Sequence, residues 1–224
     1  MTITTTGLTR AAGAAAAVAG TIFVAVQINH PPMDAASVPS ADWVLRSWAK
    51  AVMSALALAG ITGMYLRSRR SGVLGLAGYL LFTAGYLLMF AVEVIAATVL
   101  PTVAGSDPGY VNDVLAAAAG GAPAGDLGGL RTVLDLSGVG YLAGGLLFGI
   151  ALFRAGVLAR WASVLLAVGT AGTAALAVLP EAFNRPFAVP VGIALIGLGI
   201  SLWRRADAAS APEPVRPAAA PVVR

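Results

Sequence analysis

The chain has 224 residues, 58% of them hydrophobic and 11% charged, with a mean hydropathy of +0.86. A soluble domain carries roughly 25% charged residues, so these charges are too few to clothe a globular surface in water and suit a chain that faces lipid. Cysteine is absent, which excludes disulfides, Cys-ligated zinc, thiol redox chemistry and iron–sulfur clusters.

A net charge of +4 and an isoelectric point near 10.0 would suit nucleic acid. The cations, however, fall in short clusters between apolar runs and in the tail, so no nucleic-acid partner is expected. They read as topology signals.

An apolar stretch needs about 20 residues to cross a bilayer. Such stretches occur at 11–28, 44–66, 72–100, 130–153, 161–179 and 187–203, punctuated by "NHPP", by Arg67, Arg69 and Arg70, and by Pro101 and Pro180. The fold class expected is all-α: a polytopic membrane protein with six transmembrane helices. The first span, Ala-rich after Arg10, resembles a secretory signal peptide. Parity favours keeping it, because Arg10, Arg67, Arg69, Arg70, Arg154, Arg160, Arg204, Arg205, Arg216 and Arg224 then share one side.

That side holds ten of the fourteen Lys and Arg residues, whereas Arg46, Lys50, Arg131 and Arg185 lie towards the other. By the positive-inside rule both termini are expected in the cytoplasm of a cell-membrane protein. Residues 1–10 form the cytoplasmic N-terminus, 11–205 the membrane domain, and 206–224 an Ala/Pro-rich tail expected to be disordered. Only Asp207 and Glu213 among the acidic residues fall on the cytoplasmic side. In the long outer loop, 102–129, Asp107 is a plausible N-cap, Pro108 a first helical residue and Gly120 a stop, which predicts a short helix over 109–119.

Intramembrane ionisable residues are the natural functional candidates. Glu93 lies eight residues before Pro101, hence ~12 Å inside its helix end, and Asp135 lies six residues after Gly129, ~9 Å inside its own. Arg46 and Lys50 are four apart, as are Arg131 and Asp135, so each pair shares a helix face. Together they predict one shallow charged layer whose members point inward and pair. Tyr79, Tyr86 and Glu93 are spaced by seven and make one stripe, which is equally the pattern of an ordinary packing seam.

Two readings of the layer stay open. It is a polar pocket in which Glu93 serves as acid, base or proton carrier, or it is a set of structural ion pairs, Lys50 or Arg46 with Glu93 and Arg131 with Asp135. "QINHPPMD" offers His30, Met33 and Asp34 to a metal, but one histidine is a thin donor set, so no metal and no cofactor is expected. The G-x-G in "GVGYLAGGLLFG" follows no strand and fails the dinucleotide context. Gly140, Gly144, Gly145 and Gly149 read instead as helix-packing surfaces. Glu181, Asn184 and Arg185 in "PEAFNRP" are expected to form a tight outer turn.

The succession "GTIFVAVQINHPPMD", "GLAGYLLFTAGYLLMFAVEVIAATVLP" and "YLAGGLLFGIALFRAGVLARWASVLLAVG" resembles a family of actinobacterial-type multi-pass membrane proteins over most of residues 11–205. The resemblance implies the fold and no activity. Relatives often carry a histidine early in span two, where this chain has "WVLRSWAK". A fainter likeness is to small membrane-bound terpene cyclases, which use acidic residues to protonate an isoprenoid. No motif matches them residue by residue.

The leading expectation is a protein that binds a small or lipid-like molecule in an outward-facing polar pocket, with or without transport. Glu93 and Asp135 would be the key carboxylates, and Arg46, Lys50 and Arg131 their partners. The alternatives are a membrane enzyme such as an isoprenoid cyclase and a structural accessory subunit. The bilayer is the one partner expected in every case.

Overall fold

A computed structural model describes residues 4–177 and 186–208. The expected turn at Glu181, Asn184 and Arg185 and the tail beyond 208 lie outside the described residues. Eight helices follow in order among them: α1 (Thr5–Ala25), α2 (Ala41–Arg67), α3 (Gly72–Thr98), α4 (Leu100–Val103), α5 (Pro108–Ala118), α6 (Gly129–Ala155), α7 (Arg160–Gly172) and α8 (Ala188–Ala208). Short 3-10 turns cover Arg69–Ser71 and Thr173–Ala177. There is no strand among the described residues.

Local chemistry places the helix ends. Thr4 accepts from Gly7 N at 3.1 Å and Ser40 from Trp43 N at 3.2 Å, each satisfying an amide that has no partner within its helix. Asp107 accepts from Tyr110 N at 2.9 Å with Pro108 at the first helical position, and α5 runs one residue earlier at each end than the sequence suggested. At the other end of α6, Gly156 takes φ +64° and stops the helix in the left-handed conformation that glycine adopts without strain.

Six helices form a closed ring: α1, α2, α3, α6, α7 and α8, each antiparallel to the next, with α8 returning against α1. The ring is filled by Met53, Met64, Phe82, Tyr86, Phe148, Leu166, Leu195 and Leu198. Tight seams depend on small residues. A Cβ on Gly85 would lie 2.5 Å from Tyr141 N, and one on Gly78 would lie 2.5 Å from Phe148 N, so α3 and α6 touch backbone to backbone. On the next seam, Cβ atoms at Gly145 and Gly149 would run into Thr170 and Ala167 of α7, so with Gly140 and Gly144 against α3 the four glycines expected to pack do so.

Among the described residues five helices are long and apolar enough to cross a membrane: α1, α2, α3 with its flanking turns, α6 and α8. The run expected at 161–179 differs. It is the 13-residue α7 followed by the 3-10 turn of Thr173–Ala177, and its last residues lie outside the described ones. The outward faces are apolar, with Val73 84%, Leu45 69%, Val168 63% and Val139 61% exposed. So many exposed large apolar side chains fit a multi-pass membrane protein and not a water-facing surface.

The two ends of the ring differ. At one end the start of α1 meets the end of α8, where Arg10 pairs with Asp207. The antiparallel order puts Arg67, Arg69, Arg70, Arg154, Arg160, Arg204 and Arg205 at that end too. The opposite end carries Asp34, Asp42, Glu93, Asp107, Asp113, Asp126 and Asp135 with only Arg46, Lys50 and Arg131 among the described residues. There a second apolar core, including Val38, Trp43, Leu100, Val111, Leu115 and Leu127, fixes α4, α5 and the 31–40 segment over the ends of α2, α3 and α6.

Candidate functional site

The acidic end begins with Ser40, whose cap starts α2 and so fixes the rotation of the residues that follow. Asp42 and Arg46 are one turn apart on α2 and pair at 2.9 Å. The free edge of the Arg46 guanidinium reaches back to α1, donating to Val26 O at 3.1 Å and Ile28 O at 2.8 Å. Val26 is the C-cap of α1 and Ile28 lies in the turn just after it, where a helix end lacks its own donors and carries partial negative charge. Arg46 therefore ties α2 to the turn that ends α1, so of the two cations expected for Glu93, Lys50 or Arg46, Lys50 is the one left to it.

Glu93 of α3 meets Lys50 of α2 instead. Lys50 Nζ and Glu93 Oε1 are 3.6 Å apart, with side chains 17% and 15% exposed. This is Coulombic contact without the 2.7–3.2 Å approach of a tight hydrogen bond. About a turn further out, the buried Trp43 indole donates to Ala96 O at 3.2 Å and couples the same two helices. The lid above is closed by polar contacts: Asn112 Oδ1 accepts from Ala35 N at 2.8 Å, and the Asp113 carboxylate accepts from Ala124 N and Gly125 N at 2.8 and 2.9 Å.

Arg131 and Asp135 pair at 2.9 Å, but their side chains are 44% and 53% exposed, on the outside of α6. The expected single inward-facing layer is therefore three separate pairs. In the first turns of a helix water and lipid headgroups still reach a charge, so nothing forces Asp135 inward. Glu93, which meets Lys50 across the α2–α3 seam, is the carboxylate that is drawn under cover.

The tyrosine stripe divides as well. Tyr79 stacks on Tyr65 at 4.4 Å with an interplanar angle of 8°, and its hydroxyl lies 3.4 Å from Thr62 Oγ1. Tyr86 is fully buried, edge-on to Phe82 at 5.0 Å and 6.0 Å from Tyr141, and its hydroxyl has no hydrogen-bond partner among the described residues. The stripe is a packing seam whose middle phenol is unsatisfied.

His30 donates from Nδ1 to Pro31 O at 2.8 Å and meets Trp43 edge-on at 5.7 Å. Asp34 caps a turn by accepting from Ser37 N at 2.8 Å. Among the described residues no group of three or more His, Asp or Glu is placed to hold a metal ion. Trp43, Asp42 and Asn112 escaped the reading of the sequence. The Asp42–Arg46 spacing of four was a local signal for one of them, whereas nothing local foretold that Trp43 would bridge to Ala96.

Comparison with protein-family models, with curated proteins and with solved structures gives no match for this chain.

Proposed function

We propose that the chain is a six-span protein of the cell membrane with both termini cytoplasmic, and that it binds a small or lipid-like molecule at the Lys50–Glu93 pair. Charge asymmetry between the two ends of the ring supports the orientation, since cytoplasmic flanks are enriched in Arg and Lys. α7 supports the sixth span. Its 13 α-helical residues rise ~20 Å and the five 3-10 residues about 10 Å more, together the ~30 Å of a hydrocarbon core. It also turns Trp161 and Val168 outward, as a lipid-facing helix does.

The observation that carries the binding site is the covered but loosely matched Lys50–Glu93 pair. At 3.6 Å and an effective dielectric of about 20 the attraction is ~5 kcal/mol. Desolvation costs several kcal/mol per ion, so the pair nets close to zero for the fold. A carboxylate acceptor and an ammonium donor held side by side on different helices suit a polar headgroup or zwitterion with an apolar body. Transport would add a change of protonation or partner at Glu93.

The test is thermal unfolding of the purified chain in detergent, as wild type, Glu93→Gln, Lys50→Met and the double variant. A binding site predicts the double variant within about 1 kcal/mol of wild type, or above it, because the pair nets close to zero, with a loss in each single variant from the charge left uncompensated. A loss above ~3 kcal/mol that persists in the double variant makes the pair a structural lock between α2 and α3 and refutes the proposal.

A further inference from the structure

We propose that the arginine end carries a binding site for one anionic diacyl phospholipid, built on the lipid-facing side of α8. The site uses neither Lys50 nor Glu93 and stands whatever their role. Two clefts flank α8 there. One, of about 560 Å³, lies between the start of α7 and the end of α8, floored by Gly197 and Ser201 and flanked by Trp161. The other, of about 210 Å³, lies between α1 and α8 over Gly13, Ala17 and Gly199. The clefts therefore share Ile200 and Arg204, and Arg205 lines the larger one as well.

That shape matches two acyl tails diverging from one phosphate. Small residues let α8 sit close to both neighbours, Gly199 against Gly13 of α1 and Gly197 against Trp161 of α7, so the clefts follow these seams. Gly197 lies directly beneath the Trp161 ring, and Ser201 accepts from Ala159 N at 3.0 Å, so the first floor is closed by protein. Trp161 and Trp203 are 58% and 43% exposed at the level where indoles favour the membrane interface.

Charge selects the headgroup. Arg204 and Arg205 are exposed, and neither has an ion-pair partner among the described residues, because the nearby Asp207 is taken by Arg10. Basic grooves between spanning helices on the cytoplasmic side suit anionic headgroups, each cation contributing about 1 kcal/mol near such a surface. A neutral phosphatidylcholine would fill the grooves but gain less from the arginines.

Native mass spectrometry of the full chain released from detergent reads the outcome, with dioleoyl phosphatidylglycerol, dioleoyl phosphatidylcholine and inorganic phosphate as probes. The wild type is expected to retain one phosphatidylglycerol with roughly tenfold preference over phosphatidylcholine. Arg204→Gln with Arg205→Gln should bring that preference close to parity. Arg67→Gln with Arg70→Gln removes the same charge at the same end and should leave it unchanged. Ile200→Trp keeps the arginines, narrows both grooves and should lower retention of both lipids, which tests the site even if the arginine variant fails to fold.

Equal retention of the two lipids by wild type would overturn the proposal. So would equal weakening by the Arg67/Arg70 variant, which indicates diffuse surface charge. Displacement of phosphatidylglycerol by inorganic phosphate would overturn it too, by showing that the tails contribute nothing.

Discussion

The α3–α6 seam gives the sharpest prediction. Gly85→Ala places a Cβ 2.5 Å from Tyr141 N and 2.7 Å from Gly140 C, whereas ordinary contact begins at 3.4 Å. The obstacle is backbone, so no side chain can swing away and the helices must part by about 0.9 Å. A gap of that size forfeits roughly a quarter to a half of each dispersion contact along the seam. It also stretches the bond from Ser137 Oγ to Gly85 O, already 3.3 Å. Overpacking of this kind costs about 1–3 kcal/mol. Alanine returns ~0.5–1 kcal/mol through its better helix propensity. The net expectation is a loss of about 1–2 kcal/mol, or roughly 2–8 °C in Tm. Gly138→Ala, on the exposed side of α6 with nothing within 4 Å, has only the propensity gain and should melt at or slightly above wild type. Thermal melting of both variants in one detergent decides the matter. Equal stability of Gly85→Ala and Gly138→Ala would refute backbone contact between α3 and α6.

Tyr86→Phe removes a buried hydroxyl that has no partner among the described residues, so it should raise stability by about 1 kcal/mol in the same melting assay. A marked loss would mean that the hydroxyl is bonded in the membrane. Asp107→Ala deletes the cap on Tyr110 N and should cost the lid about 1 kcal/mol, seen as faster amide exchange across 108–118 with the ring helices unchanged. Unchanged exchange there would show that the apolar core around Val111 and Leu115 alone holds α5.

Much of the fold could be read along the chain because its causes are local. Apolar length set α1, α2, α3, α6 and α8, and Asp107-Pro108 with Gly120 bounded α5 within a residue. The arginine clusters divided the two ends before any contact was known. The Arg131–Asp135 pair formed as its spacing required, since both partners belong to one helix.

Which way each helix turns was beyond the sequence. α3 and α6 are apolar nearly all round, because lipid and core both accept apolar side chains, so periodicity does not mark their inner faces. Only packing decided that Glu93 faces Lys50, that Arg46 reaches the carbonyls ending α1, and that Asp135 stays outside. The ring order likewise comes from glycines meeting glycines and alanines on other helices, as Gly85 meets Gly140 and Gly60 meets Ala16. Sequence supplied the long apolar helices, the cap of α5 and the charged ends. Tertiary structure supplied their rotations, because a side chain's partner across a helix seam depends on the azimuth of both helices, and that is set by how closely their backbones can approach.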